Sequence, residues 1–254
     1  MSTALFSRIA NDLRDDIVTG RFTSGEQLPS ENELTTRYNT TRATVRKALA
    51  VLRSEGHIVS SQGSGSYVRP RSKILVQSTG AVWRDRRSTG LSNFNAEMTA
   101  NGLDVEQQLL EVTTLPASAE VAERLQIAEN EPVILRRRLF MVDGEPVQRS
   151  DGYYPAVMFA STPIAEHHRI RGGVASYIED VMGRRIARFI EQLGIRMPLP
   201  DESATLKIGP GVPVARVRRL AVDVTGLPVE LLDSIAVGDR HVFEYVIDVM
   251  PPDD

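Results

Sequence analysis

The stretch that decides the fold reads Leu-Pro-Ser-Glu-Asn-Glu-Leu at Leu28–Leu34, Thr-Arg-Ala-Thr-Val-Arg-Lys-Ala-Leu-Ala-Val-Leu at Thr41–Leu52, and Gly-His-Ile-Val-Ser-Ser-Gln-Gly-Ser-Gly-Ser-Tyr-Val at Gly56–Val68. Ser30 followed by Glu33 is the pattern of a capping box, and Pro29 prevents a helix from extending backwards. The first segment therefore predicts a short helix over about residues 30–37.

The second segment predicts a longer helix with positive charge on its exposed side. Thr41 is a suitable N-cap, and Gly56 is expected to end the helix. Four apolar residues recur at helical spacing and predict its buried face: Val45, Ala48, Leu49 and Leu52. Arg42, Thr44, Arg46 and Lys47 point away from that face, and no acidic residue follows them until Glu55.

The third segment predicts a two-stranded hairpin. Ile58-Val59 and Tyr67-Val68 flank the turn Gly63-Ser64-Gly65, where glycine permits a tight tip. Two helices followed by a small hairpin describe a winged helix-turn-helix.

The residues from Leu28 to Val68 resemble the DNA-binding signature of the GntR-type bacterial transcription regulators. That signature is Leu-Pro-Ser-Glu-x-x-Leu, then Ser/Thr-Arg-x-Thr-Val-Arg-x-Ala-Leu, then Glu-Gly and a Gly-x-Gly-x-Tyr/Phe-Val wing. Several linked blocks in the right order make the resemblance specific. The alternative is a small helical domain whose arginines form only a solvated face.

Length and composition allow one large or two ordinary domains in 254 residues. The chain has no apolar run long enough for a membrane span and no signal sequence at its start, so a cytoplasmic protein is expected. The absence of cysteine excludes disulfides and thiolate metal sites.

The net charge of −3 is unevenly distributed. Residues 1–71 carry ten Lys and Arg against seven Asp and Glu, a charge of +3, so the remainder carries −6. A basic head on an acidic body predicts that affinity for phosphate is confined to one end.

Hydrophobic patterning predicts two domains, at 1–71 and 85–254. They are joined by a Pro/Ser-rich linker at 72–84, in which Ile74–Val76 could form an edge strand. Residues 4–18 form an amphipathic helix, and Phe22 and Leu28 a small strand completing the wing. In the second domain helices are predicted near 92–101, 117–126, 173–182 and 201–206, and strands near 105–114, 132–142, 146–154, 186–196, 213–224, 228–237 and 242–249.

Two tight turns predict antiparallel hairpins in the second domain. Asp143-Gly144-Glu145-Pro146 joins one strand pair, and Thr225-Gly226-Leu227-Pro228 joins another. Their similarity suggests an internal pseudo-repeat.

The second domain resembles UTRA, the effector-binding domain of the HutC-type GntR regulators, whose fold is related to chorismate lyase. The matching segments run from Leu91 to Val249 and include Ser92-Asn93-Phe94, Arg138 before the first turn, and Pro228-Val229-Glu230. The expected fold class is thus α+β, with an N-terminal winged helix-turn-helix followed by a chorismate-lyase-like antiparallel-sheet UTRA domain. The resemblance implies a dimerising domain that binds a small metabolite and alters the DNA-binding head.

Departures from the UTRA pattern bear on the effector. Members that bind phosphorylated amino sugars carry a set of polar residues of which this chain keeps only Arg138 and Glu230. The replaced positions are Phe140 for an arginine, Ser150 for a glutamate, Gly173 for a serine and Ala236 for a tyrosine. Since each lost contact costs about 1–3 kcal/mol, a phosphosugar effector is not expected.

The effector site predicted from these residues consists of Ser92, Asn93, Phe94, Arg138, Ser150 and Glu230. Arg138 suits an anionic or carbonyl group, Glu230 a hydroxyl or amine, and the amides at 92–94 an anion at a helix start. The alternative is that Arg138 and Glu230 simply pair with each other across the sheet.

The DNA contacts predicted by geometry and resemblance are Ser30, Glu31, Asn32, Thr41, Arg42, Thr44, Arg46, Gln62 and Gly63. Arg42 and Arg46 lie one helical turn apart and suit guanine edges or phosphates, and the wing tip is expected at the minor groove. A homodimer is expected to bind double-stranded DNA at a pseudo-palindrome.

No catalytic or cofactor pattern competes with this hypothesis. His167 and His168 are adjacent, so their side chains do not easily share a metal, and Gly63-Ser64-Gly65 precedes a strand where a nucleotide loop would precede a helix. No enzyme activity, cofactor or metal is expected. The alternatives to a regulator, most often a repressor in this family, are an architectural DNA-binding protein and a lyase-like enzyme without a regulatory ligand.

Overall fold

The chain forms two compact units: the first comprises residues 1–72 with the short segments 197–199 and 207–213, and the second comprises the rest of the chain. A computed structural model describes residues 4–61, 65–69, 74–77, 93–209 and 211–245. The predicted linker at 72–84 lies outside the described residues, apart from a short strand at 74–77.

The first unit is a three-helix core with a hairpin. Its elements are α1 (Leu5–Val18), α2 (Glu31–Arg37), α3 (Arg42–Ser54), β1 (Ile58–Ser61) and β2 (Gly65–Val68). The predicted capping box between Ser30 and Glu33 is present at the start of α2, and Thr41 caps α3. All four predicted core residues of α3 are buried, and they pack with apolar residues of α1 and α2: Ile9, Leu13 and Leu34 among them.

The hairpin strands pair antiparallel, with Ile58 opposite Val68 and Ser61 opposite Gly65. The tip at 62–64 lies outside the described residues. The small strand predicted around Phe22 and Leu28 is reduced to one bridge between Gln27 and Tyr67. Phe22 is instead half-buried against the helical core, which uses its apolar surface without a strand.

The second unit is built on a six-stranded antiparallel sheet in the order β4-β5-β6-β9-β8-β7. The strands are β4 (Val105–Pro116), β5 (Pro132–Val142), β6 (Glu145–Pro155), β7 (Ile186–Arg196), β8 (Val214–Asp223) and β9 (Pro228–Val237). The helices are α4 (Asn93–Ala100), α5 (Ala119–Leu125), α6 (Ala156–Phe159), α7 (Val174–Asp180) and α8 (Pro200–Leu206), with a 3-10 turn at Pro163–Ala165.

Both predicted hairpins are present, because β5 pairs with β6 and β8 with β9. Asp143 and Gly144 have φ of +52° and +77°, and Gly226 has φ of +88°. These left-handed conformations explain why glycine stands in each tight turn.

Three features were not predicted. Helix α6 and the 3-10 turn are only 4 and 3 residues long and have no signal in the sequence. The strand predicted at 242–249 is β10 (His241–Glu244), and it pairs in parallel with β3 (Ile74–Gln77) apart from the large sheet. No helix in the described ranges is long and apolar enough to cross a membrane.

Candidate functional site

The exposed face of α3 carries the cationic side chains that the sequence predicts. Arg42 and Arg46 are exposed one turn apart, and the Arg46 side chain retains 67% of its accessible surface. Val45, Ala48, Leu49 and Leu52 fill the opposite face of the helix. The arginines are therefore free of the protein core and available to an external polyanion.

Helix α2 orients both arginines of α3. The Asn32 side-chain oxygen accepts hydrogen bonds from Arg42 Nε at 3.0 Å and Nη2 at 2.6 Å. Arg46 Nε donates to the two Glu31 carboxylate oxygens at 3.0 and 2.9 Å. Sequence reasoning named these four residues but missed the contacts, because neighbours on two different helices have no short-range spacing signal.

The hydroxyl groups among the predicted contacts stabilise helix starts. Ser30 Oγ accepts from the Glu33 amide at 3.3 Å, while the Ser30 amide donates to Glu33 Oε2 at 2.7 Å. Thr41 and Thr44 hydroxyls are hydrogen-bonded to each other at 3.0 Å. Gln62 and Gly63, the predicted wing contacts, lie outside the described residues.

A cavity in the second unit brings together predicted effector residues. Its volume is about 120 Å³, well above the roughly 10–15 Å³ that a single water needs. Phe94, Arg138, Ser150 and Glu230 line it. Ser92 and the side chain of Asn93 lie outside the described residues, so a role for the amides at 92–94 stays a prediction.

Arg138 is a buried cation of this cavity whose guanidinium is not fully hydrogen-bonded by the described part of the chain. It is only 8% exposed, and its Nε is buried with no hydrogen-bond partner among the described residues. Its neighbour across the sheet is Ser150, whose hydroxyl is 2.6 Å from that of Ser234. A buried guanidinium is costly unless an anion or acceptor satisfies it, so this position suits a ligand's anionic group.

Glu230 is held by a phenol and not by Arg138. The Tyr154 hydroxyl donates to Glu230 Oε1 at 2.6 Å, and both residues are buried. Burial, with Glu230 beside it, raises the pKa of Tyr154 well above its ordinary value, so the phenol stays protonated and remains a donor. No bond links Arg138 to Glu230 among the described residues, so the simple cross-sheet pair weighed from sequence is not formed.

A second arginine of the cavity is already neutralised. Arg219 donates to Glu191 at 2.7 Å, and its guanidinium lies 5.4 Å from the centre of the Phe189 ring. Apolar side chains complete the wall, and the rings of Phe94 and Phe140 are 4.7 Å apart. The cavity thus combines an apolar lining with few polar groups, as small-molecule sites usually do.

Arg136 shapes the structure next to the cavity, and sequence reasoning missed it. It is 2% exposed and donates to the backbone carbonyls of Ile164 at 2.7 Å, Glu166 at 2.8 Å and His168 at 2.6 Å. Burial lowers the pKa of Arg136, although it remains a cation. The three consecutive arginines at 136–138 look alike in the sequence but differ in the structure. Arg136 binds backbone carbonyls, Arg137 pairs with Asp151, and the Nε of Arg138 has no partner among the described residues.

Comparison with known families agrees with both units. Residues 5–68 match the model of the bacterial regulatory proteins of the GntR family, and residues 100–242 match the UTRA domain. The chain belongs to the GntR family of regulators and carries a UTRA domain. It is a DNA-binding transcription regulator controlled through a ligand-binding domain, and not an enzyme.

Several regulators are similar to this chain in sequence or in fold. The HTH-type transcriptional regulator YurK of Bacillus subtilis is 32% identical over 62% of this chain and 61% of its own length. The HTH-type transcriptional repressor NagR of the same organism is 23% identical over 96% of this chain and 95% of its own. A crystallised GntR-family regulator is 26% identical with a TM-score of 0.64, covering 98% of this chain and 99% of its own.

A second solved structure supports the fold alone. PhnF from Mycobacterium smegmatis is 22% identical, with a TM-score of 0.61 over 95% of this chain and 99% of its own. The chain therefore shares its fold with PhnF despite low sequence identity.

Proposed function

We propose that this regulator is a homodimeric repressor of the HutC type that acts in the cytoplasm. A small metabolite bound by the second unit would release it from a pseudo-palindromic operator. Its relatives include a protein named as a repressor, and its UTRA domain follows a GntR head. A winged-helix dimer places two recognition helices in successive major grooves, so half-sites about one helical turn apart are expected.

The DNA contacts are proposed at the exposed face of α3 and the start of α2. Arg42 and Arg46 would reach base edges or phosphates, with Asn32 and Glu31 orienting them. Ser30, Thr41 and Thr44 would stand near the sugar-phosphate backbone, and the predicted wing contacts Gln62 and Gly63 near the minor groove. The exposed, oriented arginine pair is the observation that carries this proposal.

Replacing Arg46 tests the proposed DNA contact. Arg46→Ala should weaken binding to the operator by about 10-fold or more, since a bidentate base contact contributes about 1–3 kcal/mol. Fluorescence anisotropy with operator and scrambled duplexes at near-physiological salt measures both affinities. Arg188→Ala, which removes an exposed arginine of β7, is the control. Full operator affinity in Arg46→Ala would contradict the assignment.

The effector is proposed to be a small molecule with an anionic group and an apolar body. Arg138 supports this because it lines the cavity, is buried, and has no hydrogen-bond partner for its Nε among the described residues. Glu230 would accept a hydrogen bond from a hydroxyl or amine of the ligand, and Ser150 and Phe94 would contact the rest of it. Phe140 stands where a phosphosugar-binding relative would use an arginine, which opposes a phosphorylated amino sugar.

Thermal shift with a panel of small carboxylates and phosphates tests the pocket. Ligands that raise the melting temperature of the unaltered chain should have no effect on Arg138→Ala, whose operator affinity should be unchanged. A ligand that still stabilises Arg138→Ala equally would remove Arg138 from the site. Stabilisation by a phosphorylated amino sugar at micromolar concentration would overturn the effector class.

A further inference from the structure

Residues 105–237 contain an internal repeat of about 81 residues. At an offset of 81 the identical pairs are Leu125/Leu206, Ile127/Ile208, Pro132/Pro213, Val133/Val214, Arg137/Arg218, Arg138/Arg219 and Leu139/Leu220. One extra residue precedes the second turn, and at an offset of 82 the identical pairs include Gly144/Gly226, Pro146/Pro228, Val147/Val229 and Asp151/Asp233. Each repeat runs strand, helix, then a two-stranded hairpin.

Backbone conformation repeats with the sequence. Gln126 and Lys207, at equivalent positions, have φ of +55° and +50°. Asn130 and Gly211 have φ of +65° and +81°. The strand irregularities also coincide, between Phe140 and Met141 in one hairpin and at the equivalent residues of the other. Non-glycine residues seldom adopt positive φ, so its coincidence at Gln126 and Lys207 supports a structural repeat.

The repeats meet where β6 pairs with β9. From each edge to the centre of the sheet, equivalent strands follow in the same order: β4, β5 and β6 from one edge, and β7, β8 and β9 from the other. Asp151 lies directly opposite its own equivalent, Asp233, which places a pseudo-twofold axis at this pair. The cavity straddles the axis, because its lining contains both members of three equivalent pairs: Arg138/Arg219, Gln148/Glu230 and Ser150/Leu232.

The symmetry is broken at the arginines. Arg219 lies opposite Glu191 of β7 and is hydrogen-bonded to it at 2.7 Å. Arg138 lies opposite Leu109 of β4, at a bulge, and has no ion pair among the described residues. One of two equivalent cations is therefore ion-paired by the protein, and the other has no ion pair among the described residues.

We infer that Glu191 determines the charge selectivity of the cavity. The cavity accepts a ligand with one anionic group, held at Arg138, and rejects a dianion of similar size, whose second group would meet the Glu191 carboxylate. Glu230 adds a further acidic group to the wall and opposes a second negative charge. This inference rests on the proposed role of the cavity as the effector site.

Binding of matched carboxylates to the full-length chain tests the inference. The probes are linear monocarboxylates from butanoate to octanoate and the dicarboxylates of equal length, from succinate to suberate. Calorimetry at constant ionic strength gives the affinity ratio of each pair. The unaltered chain should favour the monocarboxylate, and Glu191→Gln should shift the ratio toward the dicarboxylate by about 10-fold, or 1.4 kcal/mol.

Glu120→Gln is the matched control. Glu120 also pairs with two arginines, Arg216 and Arg218, which alternate with Arg219 along β8 and so face the other side of the sheet. This variant should keep the ratio of the unaltered chain. A comparison of melting temperatures without ligand checks that both variants fold.

Three results would overturn the inference: an unchanged ratio in Glu191→Gln, a preference of the unaltered chain for dicarboxylates, or no carboxylate binding to either protein. Failure of the proposed effector contact would look different. In that case monocarboxylate binding would persist in Arg138→Ala, whatever the ratio in Glu191→Gln.

Discussion

Glu31 sits in the proposed DNA surface although its charge repels phosphate. Its two oxygens lie 3.0 and 2.9 Å from Arg46 Nε, so it orients the arginine while it reduces the net charge. Orientation favours readout of a particular base, whereas net positive charge favours any duplex. Glu31 should therefore contribute to specificity at the expense of non-specific affinity.

Glu31→Gln separates these two effects. Binding to random duplex should strengthen, and the ratio of operator to random affinity should fall by about 5- to 10-fold, the loss expected for about 1 kcal/mol of orientation. Anisotropy titrations at several salt concentrations measure both quantities. Asp15→Asn makes the same charge change on α1 and should leave the ratio unchanged. An unchanged ratio in Glu31→Gln would refute the orienting role.

Tyr154 and Glu230 form a buried bond in the second unit. Tyr154→Phe leaves the Glu230 carboxylate without its donor, which should reduce the free energy of unfolding by about 1–3 kcal/mol. Chemical denaturation monitored by circular dichroism measures this loss. Tyr153→Phe, at the adjacent half-buried tyrosine, serves as the comparison. Equal stability of the two variants would show that the bond contributes little.

The same bond predicts a dependence on alkaline pH. Because the pKa of Tyr154 is raised in the folded protein, the unfolded chain loses this proton first. The stabilisation should be complete below about pH 10, the ordinary tyrosine pKa, and should decline as the pH rises above it. Melting temperatures from pH 8 to 11 should fall more steeply for the unaltered chain than for Tyr154→Phe. Parallel curves would contradict the prediction.

At the scale of elements, the capping box stabilises the start of α2. Hydrogen bonds from the Ser30 side chain and amide lower the pKa of Glu33, so the charged carboxylate favours the folded helix. This contribution is present above the ordinary pKa of a glutamate and is lost as the pH falls through the lowered value. Acidification should therefore loosen α2 before it affects the buried core.

Ser30→Ala removes the cap without touching the arginines. The loss of about 1 kcal/mol should speed amide hydrogen exchange in α2 about 5-fold. Ser118→Ala, which removes the cap of α5, is the matched control and should speed exchange at 119–125 only. Exchange measured by mass spectrometry at near-neutral pH distinguishes the two. Unchanged exchange in residues 31–37 of Ser30→Ala would contradict a stabilising cap.

The elements with local signals were predictable, and those without were not. Capping residues, apolar periodicity and glycine turns predicted α2, α3 and both large hairpins. The pairing of β3 with β10 was missed because their residues are far apart in the chain and each strand is only 4 residues long. The short α6 was missed because a single helical turn carries no periodicity.

Within the cavity the same limit applies to side chains. Resemblance brought Phe94, Arg138, Ser150 and Glu230 to attention, and all four line one cavity. The partners that determine the chemistry of the cavity come from other strands: Tyr154 binds Glu230, and Glu191 binds Arg219. Such pairs have no short-range spacing in the sequence. Only the pseudo-repeat, suspected from two similar turns, pointed toward the equivalence of Arg138 and Arg219.

For the whole molecule, charge is divided between the two ends of the sequence. Residues 1–71 carry +3 and the rest −6, so the attraction to DNA belongs to the head. Specific binding should therefore depend on the oriented arginines of the first unit, while the second unit supplies the ligand response. A regulator of this kind must distinguish one pseudo-palindrome from an excess of other duplex.

Selection from a random duplex library with the full-length chain, read by sequencing, tests this central claim most directly. We expect enrichment of a pseudo-palindrome whose half-sites are about one helical turn apart, and no such enrichment with Arg46→Ala. The account would be contradicted if the unaltered chain enriched no sequence, or if Arg46→Ala enriched the same site as the unaltered chain.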